Sequence, residues 1–472
     1  MTHLQDEPSP GRLDRRLLTI AVTLLLGAVP VLLDTTIVAV GLGAIGRDLD
    51  ADAADLGWVS SAYLLTLALL TPLTGFAANR FGPRTVWIVS LIAFGSGSVL
   101  CALAWSLPAL IVSRIVQGAG GALILPLSQA MLGQAAGPDR LGRVSSIIAI
   151  PAQLAPVLGP IAGGGLVAAA GWRWLFLINL PILAAAIPLA ARALPHHNEQ
   201  PRTPIDRTGI LLLPVGLVAL SYGLSRTSTT AGPLGPVTLT TLLAGLLLIG
   251  AFVIHARRVP HPLLRIRLLG SPPFGAAAML IFAQGVAIYG PLLLLPLYYA
   301  QVRGADPATI GWLLVPQGLG TMIALPLAGI ITDRYSARLP TIVGTLAVAA
   351  GTAPFVFLST TPPEPLLAAT LLARGLGLGT IGVSVISAAY RDIPATAMPD
   401  AATIVAVSQR LGASLGTTAT ALLLTLHLAG TTDPTSAGGA YGAVFAYSLA
   451  FIALTLVPAL TLRRTPSPGS HT

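Results

Sequence analysis

Lysine is absent from the chain, so all 26 basic residues are arginine, and against them stand only 17 acids. Charged residues make up 9% of the sequence, far below the quarter that a water-facing globular surface needs. A single cysteine, Cys101, excludes a disulfide framework and a thiolate metal centre. Without lysine there is no glycine-rich loop closed by Lys-Ser/Thr, so the chain does not hydrolyse nucleotide by such a loop. The net charge of +9 by itself suggests nucleic acid, but the arginines are scattered through short loops and form no basic face. That excludes nucleic acid as a partner. Nor do His, Ser and Cys, or paired carboxylates, converge within the apolar runs, which disfavours a membrane enzyme.

What is present instead is apolar. Hydrophobic residues reach 54% with a mean hydropathy of +0.82, and runs long enough to cross a bilayer recur from end to end. Cutting at charged or Pro/Gly-rich breaks gives fourteen spans, about 17–46, 55–78, 85–104, 107–135, 141–170, 174–192, 208–225, 236–256, 274–300, 309–332, 339–360, 364–390, 402–428 and 438–462. The seventh, eighth and eleventh are the least marked. The first continues past Asp34 without a small-residue cleavage site and is not read as a cleavable signal. The fold class expected is an all-α polytopic membrane protein in the lipid bilayer. With the N-terminus inside, nineteen arginines fall on the inner loops and tails and only Arg47, Arg173, Arg226 and Arg303 on the outer side. The positive-inside rule then makes both termini, 1–16 and 463–472, cytoplasmic.

Asp34 is the acid that does not fit a loop. Seventeen residues without a charge, Leu17 to Leu33, precede it, and the next charge after it is Arg47. At about 1.5 Å per residue it lies roughly 27 Å from Arg16 and roughly 20 Å from Arg47, near mid-membrane. Burial there favours the neutral acid unless a cation or hydrogen-bond donors compensate. Such a group can take a proton from one side and release it to the other, provided it faces the path.

A duplication runs through the chain. "DAADLGWVSSAYLLTLALLTPLTGFAANRFGPR" (52–84) aligns without a gap on "DPATIGWLLVPQGLGTMIALPLAGIITDRYSAR" (306–338), pairing Gly57 with Gly311, Trp58 with Trp312, Pro72 with Pro326, Gly75 with Gly329, Arg80 with Arg334 and Arg84 with Arg338. "QLAPVLG" from Gln153 pairs with "RLGASLG" from Arg410. Both copies of the first segment run from outside to inside, so the repeat is parallel. Two halves of six helices, 17–192 and 274–462, flank an inserted pair, 208–256. The inserted spans carry no acid and are expected to be peripheral.

Parallel six-helix halves are the architecture of the major facilitator superfamily, whose substrate path lies between them. Four motifs carry the resemblance. "GFAANRFGPR" resembles its cytoplasmic motif: Gly75 lets helices approach, Gly82 turns the chain, and Arg80 and Arg84, with Arg334 and Arg338 of the second copy, supply charge to an inward gate. The motif acid is Asn79 here, whereas the second copy keeps Gly329 and Asp333; Asn79→Asp is therefore expected to strengthen the gate. "RIVQGAGGALILP" resembles the fourth-helix motif, in which the arginine, Arg114, is associated with proton transfer. "APVLGPIAGG", with Gly159, Pro160, Gly163 and Gly164, resembles the fifth-helix antiporter motif, a flat, bendable surface suited to a rocking interface. With "LLDTTIVAV" and "GWRWLFLINLPI" they resemble the fourteen-span drug:proton antiporter family over essentially the whole chain.

That resemblance implies export of lipophilic drugs, antibiotics or natural products by alternating access, with Asp34 and Arg114 coupling protons. The energy source would be the proton gradient, with no cofactor or metal, and the unit a monomer. Candidate cavity residues are Asp34, Tyr63, Gln153, Gln284, Tyr289 and Arg410. Arg410, about ten residues into its span, leaves room for an anionic or neutral substrate, and Arg374 is either functional or an anchor. The Arg-only, Ala/Gly/Pro-rich composition points to a GC-rich bacterial gene and hence to the plasma membrane. A facilitator or symporter of a polar solute in the same fold is the alternative, with a membrane enzyme or receptor behind it.

Overall fold

The structure, a computed structural model, describes residues 15–51, 53–137, 140, 159, 162–195, 204–226, 235–305, 307–334, 336–357, 363–428 and 434–462. Among them every regular element is helical, and thirteen helices are long and apolar enough to cross a membrane. The expected fifth span falls mostly on 141–158, outside the described residues, while 162–170 are helical.

The first half comprises α1 (Arg15–Asp48), α2 (Ala53–Leu70), α3 (Thr74–Phe81), α4 (Pro83–Ala102), α5 (Leu107–Ala136), α6 (162–170), the short α7 (Trp174–Leu177) and α8 (Asn179–Ala193). Pro72 sits in a 3-10 turn, Thr71–Leu73, that separates α2 from α3, and Gly82, at φ 82°, turns the chain from α3 into α4. Positive φ is a conformation glycine adopts without steric cost. At α5 the start is set by Ser106, extended in backbone, whose hydroxyl accepts from the Ala109 amide at 3.4 Å. Gly137, at φ 69°, ends the same helix.

Next come the inserted helices α9 (Arg207–Arg226) and α10 (Pro236–Arg258). The second half comprises α11 (Pro272–Gln301), α12 (Pro307–Arg334), α13 (Arg338–Thr352), α14 (Glu364–Arg391), α15 (Met398–Leu428), α16 (Pro434–Leu454) and α17 (Leu456–Thr461). At about 1.5 Å per residue, the 34-residue α1 is about 51 Å long, more than the roughly 30 Å hydrocarbon layer. Asp34 is therefore surrounded by membrane-depth helix on both sides.

Small residues set the helix spacing, since lipid gives apolar side chains no reason to prefer each other. A Cβ on Gly97 would collide with the backbone of Gln117, and one on Gly120 with that of Phe94, so α4 and α5 touch backbone to backbone. In the second half Gly285, Gly412 and Gly416 bring α11 and α15 together in the same way.

The inserted pair is not wholly peripheral. Helix α9 packs against α2 and the 71–73 turn of the first half and against α15 of the second, and the Thr418 hydroxyl donates to the Leu224 carbonyl at 3.1 Å. Only α10 lies on the outside, packed on α9 with few of its side chains buried. Leu213, Leu217, Leu220 and Leu224 form one buried stripe of α9, which is what carries it into the seam.

Candidate functional site

Asp34 lies within the first half with a side-chain exposure of 0%, and Arg114 beside it has 1%. The Arg114 Nη1 donates to Asp34 Oδ2 and to Gln117 Oε1, each at 2.6 Å, and Gln117 Nε2 donates to Asp34 Oδ1 at 2.9 Å. Carboxylate, guanidinium and amide thus close a three-membered ring. Around it, Arg114 Nε donates to the Val59 carbonyl at 3.0 Å, Gln117 Nε2 to Ser98 at 2.9 Å and Asn179 to Ser98 at 3.2 Å. The Tyr63 ring lies 4.0 Å under the Arg114 guanidinium, a cation–π contact.

Helices α1, α2, α4, α5 and α8 each contribute to the cluster. A buried pair is tolerated when its remaining lone pairs and protons are satisfied, and Gln117, Ser98 and Val59 satisfy them. Arg114 does not snorkel outward. The hydroxyls of Thr35 and Thr36 donate to the carbonyls of Leu32 and Leu33. Asp34, expected to line the cavity between the halves, is instead enclosed, with Tyr63 capping Arg114, because Arg114 and Gln117 hold its carboxylate inside the first half.

The antiporter-motif glycines lie next to this ring. A Cβ on Gly159 would strike Thr36 and one on Gly163 would come within 2.9 Å of Ile37, both just past Asp34 on α1, while Gly164 has open space beside it. Their close contact is within the first half rather than across a rocking seam. Pro160 and Gln153 lie outside the described residues.

Arg374 stands on the fourth helix of the second half, as Arg114 does in the first, and it too is buried. Its Nη1 donates to Gln317 Oε1 at 2.6 Å and its Nη2 to the Ala287 carbonyl at 3.1 Å, and its Nε has no partner. Gln317 occupies the register of Tyr63 in the gapless repeat. No carboxylate among the described residues pairs with Arg374.

Tyr63 is buried on α2 within the first-half core, Tyr289 is exposed on α11 and Arg410 is half-buried on α15. Gln284 lies on α11 beside Gly382 of α14.

At the arginine-rich end the halves are latched by the motif's Asn79 together with Asp400 and Arg265, which the motif reading did not single out. Asn79 Nδ2 donates to Asp400 Oδ2 at 3.0 Å, and Arg265 Nε meets the same oxygen at 3.3 Å. Gly75 is required there, since a Cβ would lie 2.7 Å from Asp400 Oδ1. Gln134 donates to the Ala395 carbonyl at 2.8 Å and the Tyr390 hydroxyl to Gln129 at 3.2 Å. The carboxylate missing at position 79 thus comes from α15, and Asn79 supplies the donor.

Arg84 donates to the Ala191 carbonyl within its own half at 2.5 Å, and the Arg80 guanidinium lies 5.6 Å from the Phe81 ring. In the second copy Gly329 is buried, Asp333 and Arg338 are half-buried and Arg334 is exposed.

Arg265 itself is positioned by the insert. Asp206 caps α9 by accepting from the Gly209 amide at 2.8 Å, accepts from the Leu263 amide at 2.8 Å, and lies 2.7 Å from His255 Nε2 of α10. One carboxylate thereby ties both inserted helices to the segment that carries Arg265.

Among the described residues no group of three or more His, Cys, Asp or Glu is placed to hold a metal ion. Comparison with known proteins adds the following. The profile of the Major Facilitator Superfamily matches residues 24–417. The chain is 37% identical over 419 residues to the multidrug resistance protein B homolog of Mycobacterium tuberculosis, covering 88% of this chain and 78% of that one. It is 27% identical over 425 residues to an uncharacterized MFS-type transporter of Bacillus subtilis, covering 89% and 79%. In fold it is similar to a proton:xylose symporter (TM-score 0.61, 17% identity, 93% and 96% covered) and to the human organic anion transporter TETRAN (TM-score 0.63, 16% identity, 96% and 100% covered).

Proposed function

The chain belongs to the major facilitator superfamily, a family of multi-pass membrane transporters rather than enzymes, and from that premise we propose that it is a proton-coupled antiporter exporting small lipophilic molecules. The observation that carries the proposal is the enclosed Asp34–Arg114–Gln117 ring at mid-membrane. A carboxylate so placed has two self-consistent states: ionised and held by Arg114, or protonated and released from it. Protonation removes the attraction that holds Arg114 Nη1 on the carboxylate, and the guanidinium is then kept only by Gln117, the Val59 carbonyl and the Tyr63 face that it already contacts. Tyr63, on α2, passes that release to a neighbouring helix of the first half.

In this reading the arginine-rich end is cytoplasmic, and the Asn79–Asp400–Arg265 latch makes the present state inside-closed. Opening inward breaks that latch; loading and closing restore it. The membrane is the bacterial plasma membrane, the working unit a monomer and the driving force the proton gradient. The name of the mycobacterial relative supports drugs or antibiotics as substrates.

The test uses purified protein in liposomes loaded with the pH-reporting dye pyranine. Adding a lipophilic substrate on the side opposite a proton gradient should start proton movement, and Asp34→Asn, which cannot titrate, should stop it while substrate still binds. Undiminished, gradient-dependent transport by Asp34→Asn would place the proton route elsewhere.

A further inference from the structure

At the end away from the Asn79–Asp400 latch, the second half holds a cavity that the exporter reading does not use. It measures about 260 Å³ and lies where the last turn of α11 meets the early turns of α12 and α14. No residue of the first half is among the described residues that line it. Drug-sized ligands take pockets of about 300–1,000 Å³. This one suits a smaller molecule or a headgroup.

Its lining is apolar and aromatic with one charge. Leu313, Pro316 and Ala368 supply aliphatic wall, Tyr299 and Trp312 aromatic wall, and Glu364 is the single charged residue among the described lining. Trp312 is 76% exposed, whereas Tyr299 is 2% exposed and its hydroxyl has no hydrogen-bond partner. Glu364 is exposed and forms no ion pair with a described residue. Arg303, just past the end of α11, does not line the cavity and has contacts of its own. An acid in the first turn of a helix is favoured by the helix dipole, which accounts for Glu364 but not for the cavity and the exposed indole that share its lining. Aromatic faces attract cations, Trp most strongly, and are the surroundings in which ammonium groups are recognised. An anion would meet repulsion from Glu364, and a neutral apolar ligand would desolvate the carboxylate without return.

We infer that this cavity binds an organic ammonium group, pairing it with the Glu364 carboxylate and seating its alkyl groups against Trp312 and Tyr299. The inference does not depend on the direction or the energy source of transport. The ammonium comes either from a small free amine or from the headgroup of phosphatidylethanolamine, because the three helices end here, at the depth where Trp is enriched and headgroups lie. One ligand touching α11, α12 and α14 braces the same three helices that hold Arg374 further along α14 through Gln317 and the Ala287 carbonyl.

The experiment uses the full chain labelled with 5-fluorotryptophan in dodecyl maltoside, which carries neither ammonium nor net charge. The Trp312 fluorine resonance is identified by its loss in Trp312→Phe. Choline and its neutral isostere 3,3-dimethylbutan-1-ol are titrated separately. Choline should shift the Trp312 resonance saturably and bind at least tenfold more tightly than the alcohol. Glu364→Gln should erase that preference, Glu364→Asp should keep part of it, and Ala368→Leu, which fills the cavity, should weaken choline at least tenfold. Thermal unfolding of each variant checks its folding. A second arm compares nanodiscs of phosphatidylglycerol alone with nanodiscs containing phosphatidylethanolamine. A Trp312 shift on adding that lipid, with choline then adding nothing, identifies the headgroup as the occupant; no lipid effect with an undiminished choline shift identifies a free amine. No Trp312 shift with choline or with the lipid, an equal response to the alcohol, or an unchanged preference in folded Glu364→Gln overturns the inference.

Discussion

Replacing Asn79 by Asp should open the arginine-rich end, the reverse of what the motif alone leads one to expect. Asn79 Nδ2 sits 3.0 Å from Asp400 Oδ2 and donates to it. In Asn79→Asp that donor becomes an oxygen, and two carboxylates face each other at a centre separation of about 4 Å. Their repulsion is about 4 kcal/mol at an effective dielectric constant of about 20, and the lost hydrogen bond adds about 1 kcal/mol. Arg265, 3.3 Å from the same oxygen but 45% exposed, offsets part of this. A net shift of about 2–3 kcal/mol remains, roughly 30- to 150-fold toward the inward-open state.

The assay is maleimide labelling of Leu73→Cys in a Cys101→Ser background, since Leu73 packs into the core that closes this end. Labelling should rise at least tenfold in Asn79→Asp and fall back in Asn79→Asp with Asp400→Asn, which restores one donor and one acceptor in swapped places. The rise should shrink in acid, where the two carboxyls share a proton. If labelling in Asn79→Asp stays level or drops, the amide–carboxylate latch is not what holds this end shut.

The two fourth-helix arginines should respond in opposite ways to removal. Arg114→Met strands the Asp34 carboxylate and should cost about 3–5 kcal/mol, whereas Arg374→Met removes a cation that no acid among the described residues balances and should cost under about 1 kcal/mol or stabilise; thermal unfolding of both variants distinguishes them. Asp34→Asn should itself lower stability, and Arg114→Gln added to it should restore much of the loss but no transport. Asp206→Ala removes a helix cap and two further bonds, about 1–3 kcal/mol locally, so hydrogen exchange over 259–268 should accelerate; unchanged exchange would mean the insert does not hold Arg265. Burial pushes the Asp206 carboxyl up, but the Gly209 amide, His255 and the Leu263 amide more than offset it and hold it below the ordinary Asp value. Its folded value is thus depressed, so this clamp should persist at neutral pH and weaken only as pH falls below about 4.

The sequence by itself determined the membrane class, the parallel repeat and the depth of Asp34, because each depends only on distance along the chain: apolar run length, a constant offset and about 1.5 Å per residue. It also singled out Arg114, through the resemblance of "RIVQGAGGALILP" to the fourth-helix motif. Which partner it finds was not legible. Asp34 and Arg114 are 80 residues apart in the chain, and Gln117, which completes the ring, looks like any polar residue on a helix until α4 and α5 meet at Gly97 and Gly120. The latch shows the same limit. Asn79 reads as a lost acid within its motif, and only the packing of α15 on α3 across 321 residues reveals that the acid has moved to Asp400. The insert carries no acid in its spans and so reads as peripheral, yet Asp206, just before it, clamps the segment bearing Arg265. Short-range patterns fix which residues enter the membrane; the close approach of helices far apart in sequence decides which charges meet there.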